Sequence, residues 1–113
     1  MKDDVYPGDI VLVDLEPSVF GEQGGKRPAL VVSASSFNRW PVGLAVVAPI
    51  TSRATGFPHH VAVGHDGGLD RPSWAMPEYV RSITQRRISR VLAQADDDTL
   101  SAVRDWVGRF LGS

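Results

Sequence analysis

The chain has 113 residues, 42% hydrophobic and 22% charged, the balance of one globular domain over residues 1–113 and not of a disordered chain. A net charge of -1 excludes a coat of nucleic acid held by bulk positive charge, and the absence of cysteine excludes disulfides, thiolate zinc sites and a cysteine nucleophile. No apolar run approaches the roughly 18 residues of a membrane span, and the acidic start Met-Lys-Asp-Asp predicts no secretory leader, so a cytoplasmic protein without membrane contact is expected.

In chain order, Tyr6-Pro7-Gly8-Asp9 is a turn cluster, and the apolar, β-branched run Ile10 to Leu15 predicts a buried strand. Residues 16–26, with Pro17, Gly21, Gly24 and Gly25, form a loop longer than a hairpin needs. Pro28 opens a second strand, Ala29 to Ala34, since a missing N–H is tolerated at a strand's first position. A helical turn or loop fits Ser35 to Trp40, and Leu44 to Ile50 predicts a third strand. His60 to Val63 alternates as a half-buried fourth. Short strands follow at Ser73 to Met76 and Val80 to Ile83, while Ser89 to Ala95 fits a strand or the start of a helix.

Leu100, Val103, Trp106, Val107, Phe110 and Leu111 make one apolar helical stripe, with Trp106 in the core. Asp96 to Asp98 supply its N-cap, and Gly112 its stop. Five to seven short strands with one C-terminal helix, rich in Gly and Pro, predict a mostly β small barrel. A domain this short buries a small core, which favours a homodimer.

Charge is segregated along the chain. Residues 1–16 set Lys2 against Asp3, Asp4, Asp9, Asp14 and Glu16, whereas residues 76–95 set Arg81, Arg86, Arg87 and Arg90 against Glu78 alone. Ten of the 12 basic residues are Arg, the side chain that grips phosphate or carboxylate with two parallel donors. If the second and third strands pair antiparallel, as sequential strands usually do, the start of one lies beside the end of the other. One rim then gathers Glu22, Lys26, Arg27, Thr51, Ser52 and Arg53, a set of guanidinium, hydroxyl and glycine-rich backbone suited to phosphate. His59 and His60, taken as neighbours on a strand, point to opposite faces and do not share a metal. Neither a metal site nor a cofactor is expected.

Specific segments carry a resemblance. Gly8 to Leu15 opens the chain, and Glu22-Gln23-Gly24-Gly25-Lys26-Arg27-Pro28-Ala29-Leu30-Val31-Val32-Ser33 follows. Val47-Ala48-Pro49-Ile50-Thr51-Ser52, Gly56-Phe57-Pro58, Val80-Arg81-Ser82-Ile83 and Arg87-Ile88 come next, in order. From about Gly8 to Leu111 the chain resembles the MazF/PemK (Kid) family of toxin endoribonucleases.

The resemblance implies an SH3-like barrel with a C-terminal helix, a homodimer, and a cognate antitoxin protein whose C-terminal segment covers the RNA groove. It implies metal-independent cleavage of single-stranded RNA, usually mRNA, at short motifs, leaving a 2′,3′-cyclic phosphate and a 5′-hydroxyl. The family's catalytic Arg and Thr fall on Arg27 and Thr51, and its loop Glu falls on Glu22. In the Kid branch an acidic residue, with an Arg two positions before it, serves as base and acid. Here the acidic position is Glu78, and Met76 stands where the Arg would be, so the Arg/Thr version of the MazF branch is expected.

In that chemistry Arg27 stabilises phosphoryl charge, Thr51 holds an oxygen or orients the 2′-OH, and Glu22, Glu78, His59 or His60 is the candidate base. Lys26, Ser52, Arg53, Phe57, His59, Arg81 and Arg86 are the candidate RNA-binding residues, with bases stacking on Phe20, Phe57 or Trp40. Two other readings share the fold: a CcdB-like gyrase poison acting through the end of the C-terminal helix, and a catalytically inactive SH3-like binding module.

Overall fold

The apolar runs after Gly8 and after Pro28 are nearly unbroken because their strands are buried on both faces. In the computed structural model, which describes residues 4–15, 25–63 and 69–112, these runs form β1 (Asp9–Asp14) and β2 (Lys26–Val31). The chain continues through α1 (Ser35–Asn38), β3 (Leu44–Thr51), β4 (Val61–Val63), β5 (Ser73–Ala75), β6 (Arg81–Thr84), β7 (Ile88–Gln94) and α2 (Asp97–Phe110). Single 3-10 turns at Pro77–Tyr79 and Gln85–Arg87 flank β6.

The strands are antiparallel in the order β4-β5-β3-β2-β1-β7, with β6 also on β3. Irregular register between β1 and β7 at Ile10/Val11 and Leu12/Val13 bends that edge. The result is a mostly β half-barrel with a C-terminal helix, the architecture expected.

Alternation along the central strands sorts side chains into two cores. Val11, Val13, Ala29, Val31 and Val47 pack on one face with Val5, Leu15 and Ile83. Ile10, Leu30, Ala48 and Ile50 pack on the other with Val63, Ala75 and Val103. Helix α2 covers the second face: Val103 is fully buried and Leu100 and Val107 flank it. Arg104 Nε donates to Val32 O at 2.9 Å, tying the helix to the chain beyond β2. The Asp96 carboxylate caps the helix by accepting from Thr99 N–H at 2.8 Å, and Gly112 adopts φ +91° at its end.

Several boundaries differ from expectation. β2 begins at Lys26 and ends at Val31, because Ser33 takes the Val46 N–H on its side-chain oxygen and the chain leaves the ladder. Residues 88–94 are a strand, pairing with β1. The apolar stripe of α2 is longer than the core it covers. Trp106 is only half-buried, and Phe110 and Leu111 are exposed, because Val107 is the last residue of α2 that packs against the second core.

The use of β3 is what positions the site. Its first half pairs with β6 (Leu44↔Thr84 to Val47↔Arg81) and its last residues with β5 (Ile50↔Ala75, Thr51↔Trp74), along the same edge. Pro49 lies at the changeover. Its carbonyl accepts from Met76 N at 2.9 Å, so its nitrogen faces the gap between β6 and β5, where no ladder donor is needed. Leu30→Ala, which empties the centre of the second core, is expected to lower unfolding free energy by about 2–5 kcal/mol in urea titration.

Candidate active site

The β2–β3 register pairs Ala29 with Pro49 and Leu30 with Ala48. Continuing it toward the start of β2 sets Arg27 opposite Thr51. Both line a recess of about 210 Å³, with Ser52, Asp70, Arg71 and Ser73 among the other walls. Arg27 is half-buried, and Thr51 is 5% exposed. Thr51 Oγ1 accepts the Arg53 N–H at 3.1 Å. That bond fixes the hydroxyl oxygen while leaving its proton to donate into the recess. A fixed cation beside an oriented hydroxyl donor suits a phosphoryl oxygen.

Arg71 was not legible in the sequence. It reaches the recess because β5 pairs with β3 across residues 52–72, and the Ser73 hydroxyl donates to Arg71 O at 3.0 Å, shaping the turn before β5. In the sequence it is one half of an Arg-Pro pair after a Gly/Asp-rich stretch, which does not point to β3.

Thr51 also walls a second recess, of about 160 Å³, with Arg53, Thr55, Phe57, His60, Met76, Glu78 and Tyr79. Here His60 Nε2 lies 2.7 Å from Glu78 Oε2, and His59 Nε2 lies 3.3 Å from Glu78 Oε1. The expectation that the two histidines diverge is therefore wrong. They sit in the Pro58–His59 turn before β4 begins at Val61, where the two-residue alternation of a strand does not apply. Phe57 stacks on His59 with ring centroids 5.4 Å apart, and Thr55 Oγ1 meets His60 Nδ1 at 3.1 Å. Burial raises the Glu78 pKa. The His60 hydrogen bond, a backbone N–H and the charges of His60 and His59 outweigh it, leaving the carboxyl below its ordinary 4.5.

Ser52 and Arg53 are exposed beside Thr51, and Lys26 is exposed next to Arg27. Phe57 is exposed at the second recess. Arg81 pairs with Val47, four positions up β3 from Thr51, about 13 Å at roughly 3.3 Å per residue. Arg86 lies past Thr84, which pairs with Leu44 at the far end of β3, so the fold does not bring it to Thr51. Arg90 pairs with Leu12 on the opposite side of the sheet, so the basic stretch of residues 76–95 is not one patch. Glu22, Phe20 and His65 lie outside the described residues.

The family model of the PemK-like, MazF-like toxin of type II toxin-antitoxin system matches residues 6–111. The chain is 34% identical over 102 residues to Endoribonuclease EndoA of Bacillus subtilis (strain 168), covering 88% of this chain and 87% of that one. It superposes on MazF from Deinococcus radiodurans with a TM-score of 0.86 at 34% identity, covering 99% of this chain and 100% of that chain. In a MazE-MazF crystal structure from the same organism the match has a TM-score of 0.82 at 34% identity, covering 98% of each chain.

The Arg53–Thr51 bond gives a direct check on this local geometry. In Thr51→Val the Arg53 amide loses its acceptor and is expected to exchange with solvent up to about tenfold faster, the equivalent of a net hydrogen bond of about 0.5–1.5 kcal/mol. Thr51→Ser is expected to retain wild-type exchange, as read by NMR.

Proposed function

Because the chain belongs to the PemK-like, MazF-like toxin family of type II toxin-antitoxin systems, we propose that it is a sequence-specific endoribonuclease toxin that cuts single-stranded RNA at the Arg27/Thr51 recess and is neutralised by a cognate antitoxin. The observation that carries this reading is the pairing of Arg27 with Thr51 in one recess. The similarity to Endoribonuclease EndoA supports the RNA-cleaving activity. The match to MazF in complex with MazE supports the antitoxin. Among the described residues no helix is long and apolar enough to cross a membrane. The protein acts as a homodimer, in the cytoplasm where mRNA is found.

In the proposed reaction the ribose 2′-oxygen attacks the adjacent phosphorus. The P–O2′ bond forms as the P–O5′ bond breaks, leaving a 2′,3′-cyclic phosphate and a 5′-hydroxyl. Negative charge gathers on the phosphoryl oxygens in the transition state. Arg27 meets that charge with parallel N–H donors, and the Thr51 hydroxyl hydrogen-bonds to the same phosphate. The 2′-OH proton passes to a carboxylate: Glu78 stands across the Thr51 wall, held ionised by its histidines, and Glu22 is the second candidate. The departing 5′-oxygen takes up a proton from water.

Lys26, Ser52 and Arg53 flank the recess as backbone contacts, and Phe57 and His59 offer ring faces for a base. Arg81 on β6 and Arg86 in the turn after it lie farther along the edge of β3 and serve only an RNA strand that continues past Thr51 toward Leu44.

Cleavage by the 2′-oxygen makes a sharp prediction. An RNA with one 2′-deoxy nucleotide at the cut position is expected to bind and remain whole in the presence of EDTA, while the all-ribo strand is cut with cyclic-phosphate ends. Scission at the deoxy position overturns the mechanism. Arg27→Ala is expected to slow cleavage by about 10²–10³-fold, as read by single-turnover kinetics.

A further inference from the structure

We propose that His59, His60 and Glu78 form a binding site for a zinc-class divalent cation. Among the described residues these three offer ligand atoms that all lie within 4.8 Å of one another. A four-coordinate zinc with ligands at about 2.0–2.1 Å sets its donors roughly 3.3 Å apart. His59 Nε2 lies 3.3 Å from Glu78 Oε1, a separation that fits, whereas His60 Nε2 lies 2.7 Å from the other oxygen, Oε2, so binding turns the carboxylate and draws a donor set spanning up to 4.8 Å together around one ion. Two imidazoles and a carboxylate are a donor set that zinc favours, and three protein ligands leave one position open.

The cluster has the supports a metal site requires. His60, with its side chain 5% exposed, is held by Thr55, whose Oγ1 lies 3.1 Å from Nδ1. With Nδ1–H donating to that hydroxyl, loss of the Nε2 proton that bridges to Glu78 bares the Nε2 lone pair for the ion. Thr55 Oγ1 also accepts from Phe57 N–H at 3.1 Å and keeps a second lone pair for His60. His59 is clamped among aromatic rings: Phe57 stacks on it, and Trp106 and Phe110 of α2 meet it edge-on at 6.1 and 5.8 Å. The ion joins the turn before β4 to the 3-10 turn after β5, and binding displaces any proton held on either Nε2.

Binding stands on these donors alone. One consequence rests on the proposed function: an ion here engages the Glu78 carboxylate on the recess that Thr51 shares, so a loaded protein cuts RNA more slowly.

The test uses the untagged full-length protein and Co²⁺ as an optical probe. An intense visible band of four-coordinate Co²⁺, saturating at one equivalent and bleached by Zn²⁺, is expected. His59→Ala and Glu78→Gln are each expected to weaken Zn²⁺ binding more than about 10–100-fold, the loss typical even of a supporting residue. Thermal melts of the metal-free variants check that they remain folded. Only the weak spectrum of six-coordinate Co²⁺, or Zn²⁺ binding unchanged in both folded variants, overturns the site. RNA cleavage by the metal-free protein is read separately, so failure of the metal site and failure of the endoribonuclease reading are distinguishable.

Discussion

The register of β2 against β3 is the constraint on which the rest of the molecule depends. Ala29 opposite Pro49 places Arg27 opposite Thr51, and a slip of one residue would turn every side chain of β2 to the other face. Such a slip would exchange Ala29 and Val31, in one core, with Leu30, in the other. Burial on both faces therefore locks the register more firmly than ladder hydrogen bonds alone. The cationic recess at the rim is set by packing some residues away from it.

Thr51 has two neighbourhoods for a related reason. It ends β3 where the edge passes from β6 to β5, with Pro49, which has no N–H to leave unpaired, at the gap. On one side it meets Arg27 and the turn carrying Arg71, and on the other the Glu78–histidine cluster. A threonine near the end of a strand, buried yet bordered by two openings, can hold a phosphate from one side while proton-accepting groups stand on the other. The Arg53 N–H fixes which way its oxygen points.

Much of this was legible in the sequence, and the reasons differ by element. The strands with unbroken apolar runs, the capped C-terminal helix, and the meeting of Arg27 with Thr51 all follow from local pattern and from pairing between sequential strands. Pairings between distant strands do not. Arg71 arrives at the site through β5 on β3, and nothing near it in the chain signals that contact. The histidines were misread for a local reason: a one-residue change in where β4 starts replaces strand alternation with a turn, and two side chains expected to diverge converge on Glu78. Trp106 matched the helical period of the core but is only half-buried, and meets His59 instead.

The central claim is that Arg27 and Thr51 work as one unit on one phosphate. A double-mutant cycle of Arg27→Ala and Thr51→Val, read by single-turnover RNA cleavage in EDTA, measures it most directly. If the two side chains act together, the double variant loses little more rate than the more damaging single variant, because the unit is already broken. Losses that multiply independently, or either single variant cutting at the wild-type rate, would contradict it.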